Sequence, residues 1–324
     1  MKPNLLLFLS LFSWICFAQK TIGGVERLND EINLLIEPNA AIEILADGFS
    51  WSEGPVWVPE LNAVLFTDVP ENKLYRWDEK NGLSIYLDPS GYTGYAPNEK
   101  KAGGNGLILD PDGNLFIAQH GDRRIAKVMA PLDKPGAFTT VVDHFEGKRF
   151  HSPNDLILHS NGDLYFTDPP YGLKGDKDPL RELKTNGVYH LNKEGEISLI
   201  YDQLNRPNGL ALSPDEKTLY VANSDAKKNL WLAFDLVNGE LLNERVFFDA
   251  TSIDRPGLAD GMKVNKKGYV FATGPGGVLI FNPQGKHLGT ILTKERTANC
   301  AFNEDESVLY MTSHRYLTRI QLKK

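Results

Sequence analysis

A unit that recurs about every fifty residues constrains this chain more than any other feature. Six segments place an oxygen-bearing side chain ahead of a short apolar strand: Glu53-Gly54-Pro55-Val56-Trp57, Asn105-Gly106-Leu107-Ile108-Leu109, Asn154-Asp155-Leu156-Ile157-Leu158, Asn208-Gly209-Leu210-Ala211-Leu212, Asp260-Gly261-Met262-Lys263-Val264 and Asn299-Cys300-Ala301-Phe302-Asn303. The leading residues lie 52, 49, 54, 52 and 39 positions apart. That spacing fits blades of about four strands each, arranged around an axis. Parallel β-helix rungs are shorter, and paired barrels need no such period.

Within each repeat the grammar is that of hairpins. Asp110-Pro111-Asp112-Gly113-Asn114, Ser160-Asn161-Gly162-Asp163, Ser213-Pro214-Asp215-Glu216 and Asn265-Lys266-Lys267-Gly268 are tight turns. They join strands such as Leu115-Phe116-Ile117-Ala118 and Leu164-Tyr165-Phe166-Thr167. The chain therefore reads as all-β: a six-bladed β-propeller with four-stranded antiparallel blades around a central metal-holding channel, spanning residues 41–324. Helical periodicity is nearly absent, and residues 19–40 read as an N-terminal arm or short helix. The segment Ala41 to Leu45 reads as a strand that joins the last sheet and closes the ring, removing the exposed edges of an open array.

Lys2 precedes an apolar run from Leu5 to Phe17, and the small residues Cys16 and Ala18 suit a cut before Gln19. Residues 1–18 thus read as a secretory signal peptide, which predicts a periplasmic or secreted protein with no membrane insertion after cleavage. Once it is removed only Cys300 remains, so no intramolecular disulfide can form. A formal net charge of -7, with no Lys/Arg-rich stripe, argues against nucleic acid as a partner.

In a propeller the innermost strands run beside the axis, so one repeat position converges from six directions. Glu53, Asn105, Asn154, Asn208, Asp260 and Asn299 then form a ring of two carboxylates and four amides. Single Asn-Gly or Asp-Gly pairs are ordinary turns, but independent turns have no reason to hold one register over six repeats. Hard cations take six to eight oxygen ligands of this kind. With no thiol or imidazole in the ring, calcium comes first among divalent cations, then magnesium or manganese, with zinc behind them. Three or four of the ring would bind the metal and the others would hold water or substrate.

The repeat heads Ser52-Glu53-Gly54-Pro55-Val56-Trp57, Ser152-Pro153-Asn154-Asp155-Leu156, Arg206-Pro207-Asn208-Gly209-Leu210 and Ala259-Asp260-Gly261-Met262 resemble the gluconolactonase and regucalcin family. The run Leu164-Tyr165-Phe166-Thr167-Asp168-Pro169-Pro170-Tyr171-Gly172 is similar to bacterial gluconolactonases in particular. The resemblance implies metal ligation by Glu53, Asn208 and Asp260, a substrate and sometimes metal contact at Asn154, and a general base at Asp260. It departs at Gln119, where the family commonly carries Glu.

The expected reaction is hydrolysis of a small sugar lactone such as D-glucono-1,5-lactone. The cation polarises the carbonyl while Asp260 takes a proton from the attacking water. Asn105, His120, His151, Asn154 and Asn299 are the expected substrate contacts, with His120, His151 and His314 as competing bases. Arg123, Arg124 and Arg206 are candidate clamps, Tyr171 is a candidate apolar wall, and Trp57 reads as core. Other lactones, phosphotriesters or a non-enzymatic ligand-binding role are the alternatives; no Gly-x-Ser-x-Gly elbow is present. Specificity is expected in the loops Asp88 to Ala102 and Gly172 to Thr185.

Overall fold

The computed structural model describes residues 20–323. The proposed signal peptide lies outside them. Six antiparallel sheets surround an axis, and their innermost strands are Ser52–Val58, Gly104–Leu109, Leu156–Leu158, Pro207–Leu212, Met262–Val264 and Thr297–Phe302 in blades 1 to 6. Each blade meanders outward through hairpins, as the turn sequences predict.

The ring closes through the N-terminal segment. Ile42–Asp47 pairs antiparallel with Tyr316–Gln321 and supplies the outer strand of blade 6, with Ile42 opposite Ile320 and Asp47 opposite Tyr316. The strand expected near residues 41–45 therefore does join the last sheet. The arm is more ordered than a sequence without periodicity suggests: Gly24–Arg27 adds a fifth strand to blade 5 along His287–Leu292, and a 3-10 turn follows at Asp30–Leu34. Asn29 caps that turn by accepting a hydrogen bond from the Glu31 N–H at 3.0 Å.

The alternating apolar residues of neighbouring sheets interleave, and the core is divided into six clusters among the described residues, one for each pair of adjacent blades. Between blades 5 and 6 the arm contributes Ile32, Leu35 and Ile36, all buried. Trp57 stacks on Tyr310 with ring centroids 5.8 Å apart, which places it in packing between blades 1 and 6. Cys300 is buried and free, and the described residues contain no disulfide.

The innermost strands break register where the ring residues sit. Pairing shifts between Glu53 and Val56, Gly104 and Leu107, Pro207 and Leu210, and Thr297 and Asn299. In blades 3 and 5 the same position lies just ahead of the strand, held by Asn154 N–H donating to Thr167 O and Asp260 N–H donating to Thr273 O, at 2.8 and 3.0 Å. Such bulges re-aim a side chain out of the pleat, here toward the axis.

Glycine follows the ring residue for a packing reason. A Cβ on Gly209 would stand 2.3 Å from the Asp260 carbonyl oxygen, and one on Gly54, at φ 46°, would stand 1.9 Å from that of Asn105. Neighbouring inner strands approach too closely there for any side chain. A buried threonine on the second strand staples the contact. Thr67 Oγ1 donates to Asn105 O at 3.1 Å, Thr167 Oγ1 to Asn208 O at 2.8 Å and Thr273 Oγ1 to Ala298 O at 2.8 Å, each reaching into the following blade. The carboxylates that follow two of them, Asp68 and Asp168, accept the backbone N–H groups of Ser50 and Trp51 and of His151 and Ser152.

Candidate active site

At one end of the axis opens a cavity of about 790 Å³, within the range of small-molecule sites. Its floor carries Glu53, Asn105, Asn154, Asn208 and Asp260, and His120 stands beside them. The walls include Trp51, Lys100, Tyr171, Leu258 and Arg296. Five of the six predicted ring positions thus share one chamber.

The amides form a directed chain. Asn105 Nδ2 donates to Asn154 Oδ1 at 3.0 Å, Asn154 Nδ2 to Asn208 Oδ1 at 2.5 Å, and Asn208 Nδ2 to Ser224 Oγ at 2.9 Å. Ser224 Oγ in turn donates to Ala259 O, next to Asp260. His120 Nε2 lies 3.0 Å from Asn154 Oδ1. In this arrangement the oxygen is the acceptor, so the ring nitrogen is the donor.

Carboxylates give the floor its electrostatic character. Glu53 and Asp260 are buried, and the neighbouring Asp155 is buried too. Burial pushes the Glu53 carboxyl up to about 7, and the charge of Asp155 adds to the shift. Burial, followed by the charges of Glu53 and Asp155, raises Asp260 well above the ordinary carboxylate range. Asp155 is raised mainly by burial and eased by Lys263. Asp260 Oδ1, Asp155 Oδ2 and Asn105 Oδ1 have no hydrogen-bond partner among the described residues. Buried, mutually repelling carboxylates with unpartnered oxygens attract cations, but among the described residues no group of three or more His, Cys, Asp or Glu side chains is arranged to hold a metal ion.

Burial and the charge of Lys100 lower His120 to about 3, so its imidazole is neutral across the physiological range. Tyr171 is raised, again by burial and by Asp260, and keeps its phenolic proton. Lys100 donates to the backbone oxygen of Tyr171 and is lowered by burial.

Two expected substrate contacts do not reach the chamber. His151 is wholly buried, with Nε2 bonded to Leu183 O at 3.1 Å; its position before the third repeat head turns it into the blade. Asn299 lies beneath the floor, where its Oδ1 accepts the Cys300 N–H at 2.9 Å and its side chain fills the space left by Gly261. His314 is partly exposed and pairs with Glu295 at 3.1 Å. Gln119 is a buried strap between Ser90 O and Arg124 Nε, and Arg123 is bonded to Phe150 O. Arg206 lies outside the chamber, paired with Asp176 at 2.6 Å.

Asp155 and Lys100 were not among the candidates read from the sequence. The clue to Asp155 was available, because it occupies the position that is glycine in four of the other five repeat heads. Lys100 lies in the loop Asp88 to Ala102, where specificity is expected from the sequence, and lines the chamber from the segment before blade 2.

Fold and site together define a six-bladed propeller whose axial chamber concentrates buried carboxylates and amides. The chain belongs to the SMP-30/Gluconolactonase/LRE-like family, whose model matches residues 51–315. A gluconolactonase of Zymomonas mobilis subsp. mobilis is 40% identical over 314 residues, covering 94% of this chain and 87% of its own. Regucalcin of Bos taurus is 26% identical, covering 84% of this chain and 86% of its own. Among solved structures, a gluconolactonase from Xanthomonas campestris superposes with a TM-score of 0.82 at 29% identity, covering 95% of this chain and 99% of its own.

Proposed function

We propose that this protein is a lactone hydrolase that opens a small sugar lactone, D-glucono-1,5-lactone or a similar aldonolactone, to the aldonic acid with a divalent cation on its axis. The observation that carries this reading is the group of buried, mutually repelling carboxylates in an open polar chamber, within a family that includes gluconolactonases. Strongly perturbed carboxyl groups in a cleft cluster at functional sites.

Glu53, Asn154, Asn208 and Asp260 are the residues that would hold the cation, calcium first. The fit rests on the two carboxylates. Asn154 Oδ1 already accepts from Asn105 and His120, so ligation by it requires one of those bonds to be given up, whereas Asn208 Oδ1 accepts from Asn154 and keeps a second lone pair. When bound, the cation supplies Lewis acidity toward the lactone carbonyl.

The chain's own groups do the rest. Asp260 takes the proton from the water that attacks the carbonyl carbon. The ring C–O bond then breaks, and the leaving alkoxide takes up the proton held by Asp260 to become the hydroxyl of the open acid. His120, neutral, holds the Asn154 amide in place through Nε2. Tyr171 and Leu258 provide the wall against which a sugar ring can lie, and Lys100 offers N–H donors to its hydroxyls. The apolar leader before Gln19 supports export, which would place the activity outside the cytoplasm.

The test is proton release from D-glucono-1,5-lactone by chelated protein, followed by addition of Ca²⁺, Mg²⁺, Mn²⁺ or Zn²⁺. Metal-restored turnover that falls by about 10²–10⁴ in Asp260→Ala supports the reading. Only the spontaneous rate from folded, metal-supplemented protein rejects this substrate.

A further inference from the structure

Beside the axial chamber lies a second concavity of about 810 Å³, and the two share Ser224 and Leu258. Its lining comes mainly from the segment after Tyr171, Asp176 to Asn186, and from the outer turns of blades 3 and 4 around Asp202 to Arg206 and Asp225. We infer that this groove is a second sugar subsite, and that the preferred substrate is the lactone of a disaccharide aldonic acid, its lactone ring over the axis and its non-reducing sugar in the groove. The inference rests on the lactone-hydrolase reading and specifies the substrate class.

Three features of the groove select this ligand. First, adjacency: the two compartments adjoin, because the same serine and leucine belong to both linings. Second, charge balance: the cations Arg181, Lys184 and Arg206 face the carboxylates Asp176, Asp202 and Asp225. Asp176 lies between two guanidinium groups, 2.7 Å from Arg181 Nη1 and 2.6 Å from Arg206 Nη2. A phosphate or free carboxylate would have to displace that carboxylate. A neutral polyol, which donates and accepts at every carbon, matches donors and acceptors that already neutralise one another.

The third feature is a polar atom left unanswered. Asn186, 8% exposed, lines the groove, and although its Nδ2 donates to Asn205 O at 2.7 Å, its Oδ1 has no hydrogen-bond partner among the described residues. A turn of the Asn186 side chain toward the groove would present that oxygen to a sugar hydroxyl. Leu258, 36% exposed at the junction, offers an apolar surface to the C–H face of a sugar. Hydrolysis would break only the lactone ring C–O bond, and the glycosidic bond would stay intact.

The test compares D-glucono-1,5-lactone with the 1,5-lactones of maltobionic and cellobionic acid, which differ in the linkage to the outer glucose, using metal-supplemented protein and proton release. At least one disaccharide lactone is expected to have a kcat/KM about fivefold or more above that of gluconolactone. Asp176→Ala and Arg206→Ala are expected to lower that value about tenfold, while gluconolactone turnover stays within about twofold and melting temperature is unchanged, a loss equivalent to about 1.4 kcal/mol. Equal rates on both kinds of lactone, or variants that reduce both alike, overturn the subsite. If no lactone is turned over, calorimetric binding of maltobionate and cellobionate against gluconate decides independently. Tighter binding of a disaccharide acid that is lost in Arg206→Ala upholds the groove although the hydrolase reading has failed, and equal or absent binding rejects it.

Discussion

At the scale of single residues, the axial chamber is marked by carboxylates kept where water cannot stabilise them. A carboxyl whose folded pKa lies above its unfolded value binds its proton more tightly in the native state. Its favourable contribution is therefore complete below the unfolded value and is lost as pH rises to the folded one. For Glu53 that window runs from 4.5 to about 7, and Asp260 shifts in the same direction. Chelated protein is accordingly expected to lose melting temperature as pH rises across this window, and Glu53→Gln to flatten the decline; an unchanged slope in thermal melts counts against the buried charge. Saturating Ca²⁺ should restore the loss near neutral pH by binding the ionised carboxylates. His120 behaves differently, because its imidazole is already neutral near pH 6.5. His120→Ala should lower turnover by about tenfold through the unsupported Asn154 amide. The pH-rate profile should keep its shape, whereas a lost ionisation near 6.5 would make the histidine a titrating base.

At the scale of elements, the repeat head works as a unit: a bulge that turns the leading side chain to the axis, a glycine that lets the next strand approach, and a threonine that ties the two together. Gly209→Ala would bring a methyl group against backbone that cannot yield, and should cost roughly 1–3 kcal/mol or more in denaturant melts, with loss of activity. Thr167→Val keeps the volume but removes the donor to Asn208 O, and should cost about 1–3 kcal/mol. The Asn-Gly and Asp-Gly pairs announced the register of the ring in the sequence, although their local composition is that of turns. Their glycines serve strand-to-strand approach. His151 shows the limit of that reading. It stands three residues before the third ring position, yet its ring is turned to Leu183 O and its backbone N–H is held by Asp168.

At the scale of the molecule, closure decides whether six sheets make one body. The edge strand Ile42–Asp47 completes blade 6, while Gly24–Arg27 and the turn after it only cover blades 5 and 6. Starting the chain at residue 38 should therefore leave a closed but weaker ring, since the lost burial of Ile32, Leu35 and Ile36 is worth several kcal/mol. Starting it at residue 48 exposes the last strand of blade 6 and should give aggregated protein in gel filtration. If both truncations behave alike, the strand pairing is not what holds the ring shut.

Periodicity by itself determined the number of blades, the closing strand and the oxygen-bearing ring, because one position repeated six times can converge on an axis only if the repeats are arranged around it. It also placed Glu53, Asn105, Asn154, Asn208 and Asp260 in one chamber. Tertiary structure alone decided which neighbours joined them. Lys100 and Arg296 reach the walls from connecting segments, Asp155 adds a third buried charge near the floor, and Asn299 sinks beneath it. Side-chain direction in a bulge and the path of a loop depend on packing between blades, and no pattern within a single repeat encodes that packing.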